Sequence, residues 1–187
     1  DPPGGEFLRD RAGRLTGMLL ESPAFSRLTR LLPLPAETER RVAIRAGMRA
    51  YNRAGITAIR EPGLTDAEVL SYQSVIPEEK SIRASLMWRV DLGMSPEERR
   101  QWVQGLAALS EGDGRWLDVW GLKVVLDGGA EGGYFYAPYA NNPDFKGFLL
   151  TIQENLSAIV EEAHQLDWRV GVHVVGDAAL EMALDAF

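Results

Sequence analysis

The sequence predicts an α/β protein: part of a (β/α)8 TIM barrel, preceded by an N-terminal β-hairpin insertion. Three observations point there. Strand-like and helix-like segments alternate from about residue 37 onward, the mark of parallel β/α units. Three successive strands each carry one purely apolar face and one mixed face. The alternation supplies four β/α strands within 187 residues, about half of a closed barrel. An open doubly wound sheet is the competing architecture.

Taken in order, Glu6–Arg9 and Leu15–Leu20 are short strands around the turn "DRAG". "SPAFSRLTRLLPLPAE" is irregular or short helix, broken by Pro33 and Pro35. Residues 1–36 thus read as a hairpin and irregular insertion, and 37–187 as the partial barrel. "ETERRVAIRAGMRAYNRAG" is a helix closed by Gly55, and "ITAIREPG" is a strand ended by Pro-Gly. "LTDAEVLSYQSVI" is a helix opened by Thr65 and Glu68 at capping-box spacing. "SIRASLMWRVD" is a strand. "SPEERRQWVQGLAALS" is a helix with Ser95 as N-cap, Pro96 first and Glu98 third. "WLDVWGLKVVLDGG" is a strand, followed by the long aromatic and Asn-containing loop "YFYAPYANNPDFKGFLL". "TIQENLSAIVEEAHQL" is a helix with Thr151 and Glu154 as another capping box. Its apolar stripe is Ile152, Leu156, Ile159, Val160 and Ala163. "WRVGVHVVGD" is a strand, and a last helix follows with Asp177 as its N-cap.

Side-chain parity selects the barrel over the open sheet. Residues along a strand alternate faces. Ile82, Ala84, Leu86, Trp88 and Val90 share one face, against Arg83, Ser85, Met87, Arg89 and Asp91. Trp120, Leu122, Val124 and Leu126 oppose Gly121, Lys123, Val125 and Asp127, and Val170, Val172 and Val174 oppose Gly171, His173, Val175 and Asp177. A sheet covered by helices on both sides wants two apolar faces. A barrel wall wants an apolar outside and an interior that turns polar near its mouth. Parity therefore places Lys123 and His173 on one interior face.

Hydrophobic residues make up 45% and charged residues 25%, with a net charge of −7, as in a soluble globular chain. No basic patch stands out, so nucleic acid is not an expected partner and an anionic membrane surface is disfavoured. No apolar run is long enough to span a bilayer, and the opening is not a signal peptide, so the default compartment is the cytoplasm. The absence of cysteine removes disulfides, thiolate metal sites and thiol nucleophiles. Both ends read as cut, as in a piece of a longer protein.

Few residues could carry chemistry. His173, one of two histidines, is either a core histidine bonded to a carbonyl or a metal ligand or base at a strand's end. Lys123 lies mid-strand among Leu122, Val124 and Val125, where an unpaired ammonium costs several kcal/mol. It is either ion-paired, with Asp127 or Glu61, or functional: a Schiff-base nucleophile, or a carboxylated lysine bridging metals. Asp127 precedes Gly128-Gly129, which allows close backbone approach to a ligand. "DGGAEGG" fits neither the dinucleotide nor the P-loop spacing. Glu61 ends its strand as a site residue or as a partner of Arg60 or Arg89. Tyr136 stands in a loop, "YFYAPY", of a kind that lines substrate pockets, and His164 reads as a surface residue.

The stretches "GLKVVLDGG", "APYANNP" and "GFLLTIQENLSAIVEEAHQLDWRVGVHVVGDAALEMALDAF" resemble the amidohydrolase superfamily. The nearest branch is amidohydrolase family 3, which includes N-substituted formamide deformylase. "DPPGGEFLRDRAGRLTGMLLE" and "RAYNRAGITAIREPG" fit the same branch, so the resemblance runs through nearly the whole chain in order. It implies a metal-dependent hydrolase covering about strands two to five of the barrel, with metal-activated water attacking an amide-type C–N bond. It implies Lys123 on the fourth strand, where some members carry a carboxylated lysine, and His173 as fifth-strand ligand of a divalent metal, zinc first. A small-molecule substrate is expected, with Asp127, Glu61, Arg89 and Tyr136 as the candidate contacts. The family's H-x-H pair, its sixth-strand His and its eighth-strand Asp have no counterpart in this sequence, and "VVLDGGAEGG" stands where the pattern is closer to "FADGSLGS". The chain alone is expected to be inactive. A lysine-dependent Schiff-base enzyme, with His173 as proton shuttle, and a non-catalytic half-barrel that assembles with a second copy or with its missing half are the alternatives.

Overall fold

The computed structural model describes residues 1–110 and 112–187. In chain order the elements are β1 (Glu6–Arg9), β2 (Leu15–Leu20), α1 (Glu21–Thr29), α2 (Glu37–Arg53), β3 (Ala58–Leu64), α3 (Asp66–Glu79) and β4 (Arg83–Arg89). There follow α4 (Pro96–Leu106), a 3-10 turn (Ala107–Leu109), β5 (Leu117–Val125), α5 (Gln153–Gln165), β6 (Arg169–His173) and α6 (Asp177–Ala186). The β1–β2 pair is an antiparallel hairpin, and β3-β4-β5-β6 form a parallel four-stranded sheet in that order.

The chain divides into two compact units. The first comprises Asp1–Leu34, Val125–Glu161 and Val172–Phe187; the second comprises Pro35–Val124 and Glu162–Gly171. The hairpin thus groups with later segments rather than standing by itself.

The second unit shows why its sequence makes alternating elements. Ile82, Ala84, Leu86, Trp88 and Val90, the apolar parity set of β4, are all at most 3% exposed. They form its core together with Leu122, Val124, Val69, Val75, Ile76, Val103 and Leu106. Local signals set the helix starts. Ser95 Oγ accepts from the Glu98 amide at 3.3 Å, and Glu98 Oε2 accepts from the Ser95 amide at 2.8 Å, a reciprocal cap. At α3, Glu68 Oε2 accepts from both the amide and the hydroxyl of Thr65 at 2.8 Å. Gly55, with φ +79°, follows the end of α2 in the conformation that favours glycine.

Two bulges interrupt the parallel register. Gly63, at φ +99°, is the extra residue between the pairs Pro62–Met87 and Leu64–Trp88. In β5, Trp120 is extra between Leu86–Val119 and Met87–Gly121. This corrects the simple alternation. Trp120 does not share the apolar face of Leu122 and Val124. It lies beside Gly171, under the Arg60 guanidinium at 4.1 Å and near that of Arg169 at 5.7 Å.

The α5 start is also corrected. The helix begins at Gln153, Thr151 Oγ1 accepts from the Asn155 side chain at 2.8 Å, and Ile152 is exposed. The rest of the expected stripe, Leu156, Ile159, Val160 and Ala163, is buried. No helix among the described residues is long and apolar enough to cross a membrane.

Candidate functional site

Within the second unit, Arg89 and Lys123 are register neighbours at the ends of β4 and β5. The bulged Gly63 faces both: a Cβ there would lie 3.9 Å from Arg89 Cβ and from Lys123 Cγ. Arg89 is exposed and Lys123 half-buried. Burial alone pushes the Lys123 ammonium below the ordinary lysine range, because desolvation disfavours the charged form.

Glu61 is not brought to this face. Its register partner is Leu86, a residue of the helix-covered side. There the Tyr72 hydroxyl donates to Glu61 Oε2 at 3.5 Å. Burial raises the Glu61 carboxyl above its usual range and, with the nearby carboxylate, pushes Tyr72 up to about 12. The reason is the phase of the strand: Glu61 alternates with Arg60, whose guanidinium lies over Trp120 on the opposite side.

The first unit holds the other candidates. His173 ends β6, half-buried, with its carbonyl accepting from the Leu126 amide at 3.1 Å. Its Nε2 faces the Gly128 carbonyl at 3.4 Å. A carbonyl only accepts, so this contact selects the tautomer with hydrogen on Nε2 and leaves the lone pair on Nδ1.

Asp127 is fully buried, and its carboxylate is occupied by backbone. Oδ2 accepts from the amides of Tyr134 at 2.9 Å and Gly176 at 2.8 Å, and the Val175 amide bridges both oxygens at 3.0 and 3.2 Å. A carboxylate so engaged ties three chain segments together rather than facing a substrate. The space over the neighbouring glycines is filled as well. A Cβ on Gly128 would meet the Gly132 carbonyl at 2.5 Å and Glu21 Oε1 at 2.7 Å. The close approach that these glycines allow is therefore made by the chain itself. Glu21 Oε1 also accepts from the Gly129 amide at 2.9 Å. Nothing in the sequence around Glu21 signals this role, since the two residues lie 108 apart.

The aromatic loop is pinned by a second aspartate. Gly176 is the N-cap of α6 and Asp177 its first residue, so Asp177 is not the cap. Its Oδ1 accepts from the Tyr136 amide at 3.0 Å and the Ala178 amide at 2.8 Å. Tyr136 itself is 56% exposed, while Phe135, Tyr139, Phe145 and Phe148 stack in sequence with centroids 5.0–5.7 Å apart.

Among the described residues no group of three or more His, Cys, Asp or Glu side chains is placed to hold a metal. His173 offers one imidazole nitrogen, and the nearby Asp127 is already saturated by amides. The residues of this chain do not by themselves fit a complete metal centre.

A parallel sheet with helices between its strands, and with polar candidates at the strand ends, defines an α/β protein. The model of the Amidohydrolase family matches residues 1–187, and the chain belongs to that family. It is 29% identical over 201 residues to Protein LONG AFTER FAR-RED 3 of Arabidopsis thaliana, covering 100% of this chain and 33% of that protein. Two crystal structures of uncharacterised metal-dependent hydrolases share the fold, each with a TM-score of 0.72. The one from Pyrococcus furiosus is 22% identical and covers 96% of this chain and 35% of its own. The one from Pyrococcus horikoshii OT3 is 20% identical and covers 97% and 36%. The chain thus spans about a third of the length of the curated relatives and structures that it matches.

Proposed function

We propose that the chain is the central portion of a metal-dependent amidohydrolase that cleaves an amide-type C–N bond of a small molecule. The branch is the one that includes N-substituted formamide deformylase. The observation that carries this reading is the family match over all 187 residues. In a protein of the relatives' length, residues 37–187 form part of a (β/α)8 barrel, with residues 1–36 as an insertion. His173 is this chain's ligand for a divalent metal, zinc first, and the other ligands come from outside it. Arg89 and Tyr136, both exposed, are its substrate contacts. A cytoplasmic setting goes with this reading.

Lys123 is a second metal-site residue in this reading, as a carbamate. Its half-buried amine has no ion pair among the described residues and a lowered basicity, which leaves more of the neutral form, whose nitrogen adds to CO2 and releases a proton to give the carbamate. The test uses the protein at full length. His173→Ala should strip metal and activity, and unchanged metal content would sink the assignment. Lys123→Ala should lose activity that bicarbonate with a short-chain acid restores.

The same lowered basicity favours a second reading, in which Lys123 is a Schiff-base nucleophile. Borohydride trapping of a carbonyl substrate on Lys123 would decide for it.

A further inference from the structure

The structure assigns Asp127 a positioning role: its buried carboxylate fixes the exit of β6 and thereby the orientation and tautomer of the His173 ring. The assignment rests on the reading of His173 as the chain's site residue.

The geometry is a bracket around one imidazole. On one side stands the chain following β5. Gly128, next to Asp127, presents its carbonyl to His173 Nε2 at 3.4 Å. That carbonyl is held from behind, since the Gly128 amide donates to the Phe148 carbonyl at 3.1 Å. On the other side stands the chain leaving His173. The amides two and three residues later, Val175 and Gly176, both donate to Asp127. The Leu126 amide closes the bracket by donating to the His173 carbonyl at 3.1 Å.

His173 is thus bonded to the residues flanking Asp127, and Asp127 to the residues following His173. A backbone fixed at both strand exits holds the Gly128 carbonyl and the His173 Cα in a constant relation, and a carbonyl so placed at Nε2 orients the ring and selects the hydrogen position. The carboxylate is the member that cannot be exchanged for a neutral acceptor at no loss. Three amides converge on it, and an amide side chain would point an NH2 group at some of them. Asp177 is a natural control. It too accepts two amides, of Tyr136 and Ala178, yet among the described residues neither of these bonds reaches Gly128 or its immediate neighbours.

The chain has two histidines, and His164 is exposed, so ring nitrogens can be read one by one with an internal reference. Long-range 15N–1H spectra of the 187-residue chain at roughly pH 8, above the usual histidine range, should show His173 biased to hydrogen on Nε2. Asp127→Asn should lose that bias, shifting both His173 ring nitrogens toward tautomer-averaged values and leaving His164 unmoved. Asp177→Asn should leave both rings unmoved. Unchanged His173 nitrogens in Asp127→Asn, or an equal shift in Asp177→Asn, would overturn the assignment. Should Asp127→Asn not fold, hydrogen exchange on the unsubstituted chain decides. Protected Tyr134, Val175 and Gly176 amides support the bracket, and exchange as fast as that of exposed loop amides overturns it. Metal retained by His173→Ala in the full-length protein would sink the site reading alone; unchanged ring nitrogens would sink the positioning role alone.

Discussion

The Arg99 guanidinium of α4 grips the Glu162 carboxylate of α5, with Nε donating to Oε2 at 2.8 Å and Nη2 to Oε1 at 3.2 Å. Both residues lie in the second unit and are almost wholly buried, and Arg100 adds a longer contact at 3.6 Å. A buried pair is costly to break from one side, because the remaining charge has lost its water. Glu162→Ala should therefore lower unfolding stability by about 3–5 kcal/mol. The double change Arg99→Met with Glu162→Leu should recover most of the loss. Urea midpoints for the three proteins check this.

Glu61 gives a pH signature. Its carboxyl is raised in the folded state, so its stabilising share is present below the usual 4.5 and is lost as pH rises through the folded value. Glu61→Gln keeps an acceptor for the Tyr72 hydroxyl and removes the cost of ionisation. The variant should melt higher than the parent at pH 7, and the difference should vanish toward pH 4. A constant difference across that range would contradict this.

Lys123 shows the opposite slope. Its folded value is depressed below 10.5, so between the two values the unfolded chain binds more protons. Stability from this group rises with pH up to about 10.5. Lys123→Met should raise the melting temperature at pH 7, with the advantage shrinking as pH approaches that value. Paired thermal melts separate the effect from other titrations.

Two glycines should respond with opposite sign. A Cβ on Gly176 would collide with the Tyr134 carbonyl oxygen, so Gly176→Ala must move backbone and should cost roughly 1–3 kcal/mol or more. Gly47, inside α2, has nothing within 4 Å of the same atom. Gly47→Ala should stabilise by about 0.5–1 kcal/mol through helix propensity. Circular dichroism melts suffice for both.

Much of the fold was legible because its signals are local. The hairpin strands fall at Glu6–Arg9 and Leu15–Leu20 as their alternation requires, and Ser95-Pro96-Glu98 opens α4 through bonds within four residues. Local reasoning failed where the register slipped. The Trp120 bulge reversed the strand's phase, and α5 begins at Gln153 with Ile152 exposed before it. In the site, the presence of Lys123 and His173 on strands could be read from the pattern, but Lys123 was expected mid-strand and stands two residues from the end of β5. The saturation of Asp127 could not, since its amide partners lie up to 49 residues away and carry no side-chain signature.

The division into two units has an optical consequence. All five tryptophans, at positions 88, 102, 116, 120 and 168, fall in the second unit, while Tyr134, Tyr136 and Tyr139 belong to the first. The segment that carries His173 therefore holds no tryptophan of its own. The edge-to-face pair Trp88–Trp168, 5.7 Å apart at 88°, gives the second unit its own near-ultraviolet band. Tyr51 and Tyr72 join the tryptophans in the second unit, so tyrosine signals cover the whole chain while every indole lies in the second unit, and a tyrosine transition without an indole counterpart would mark the first unit coming apart separately.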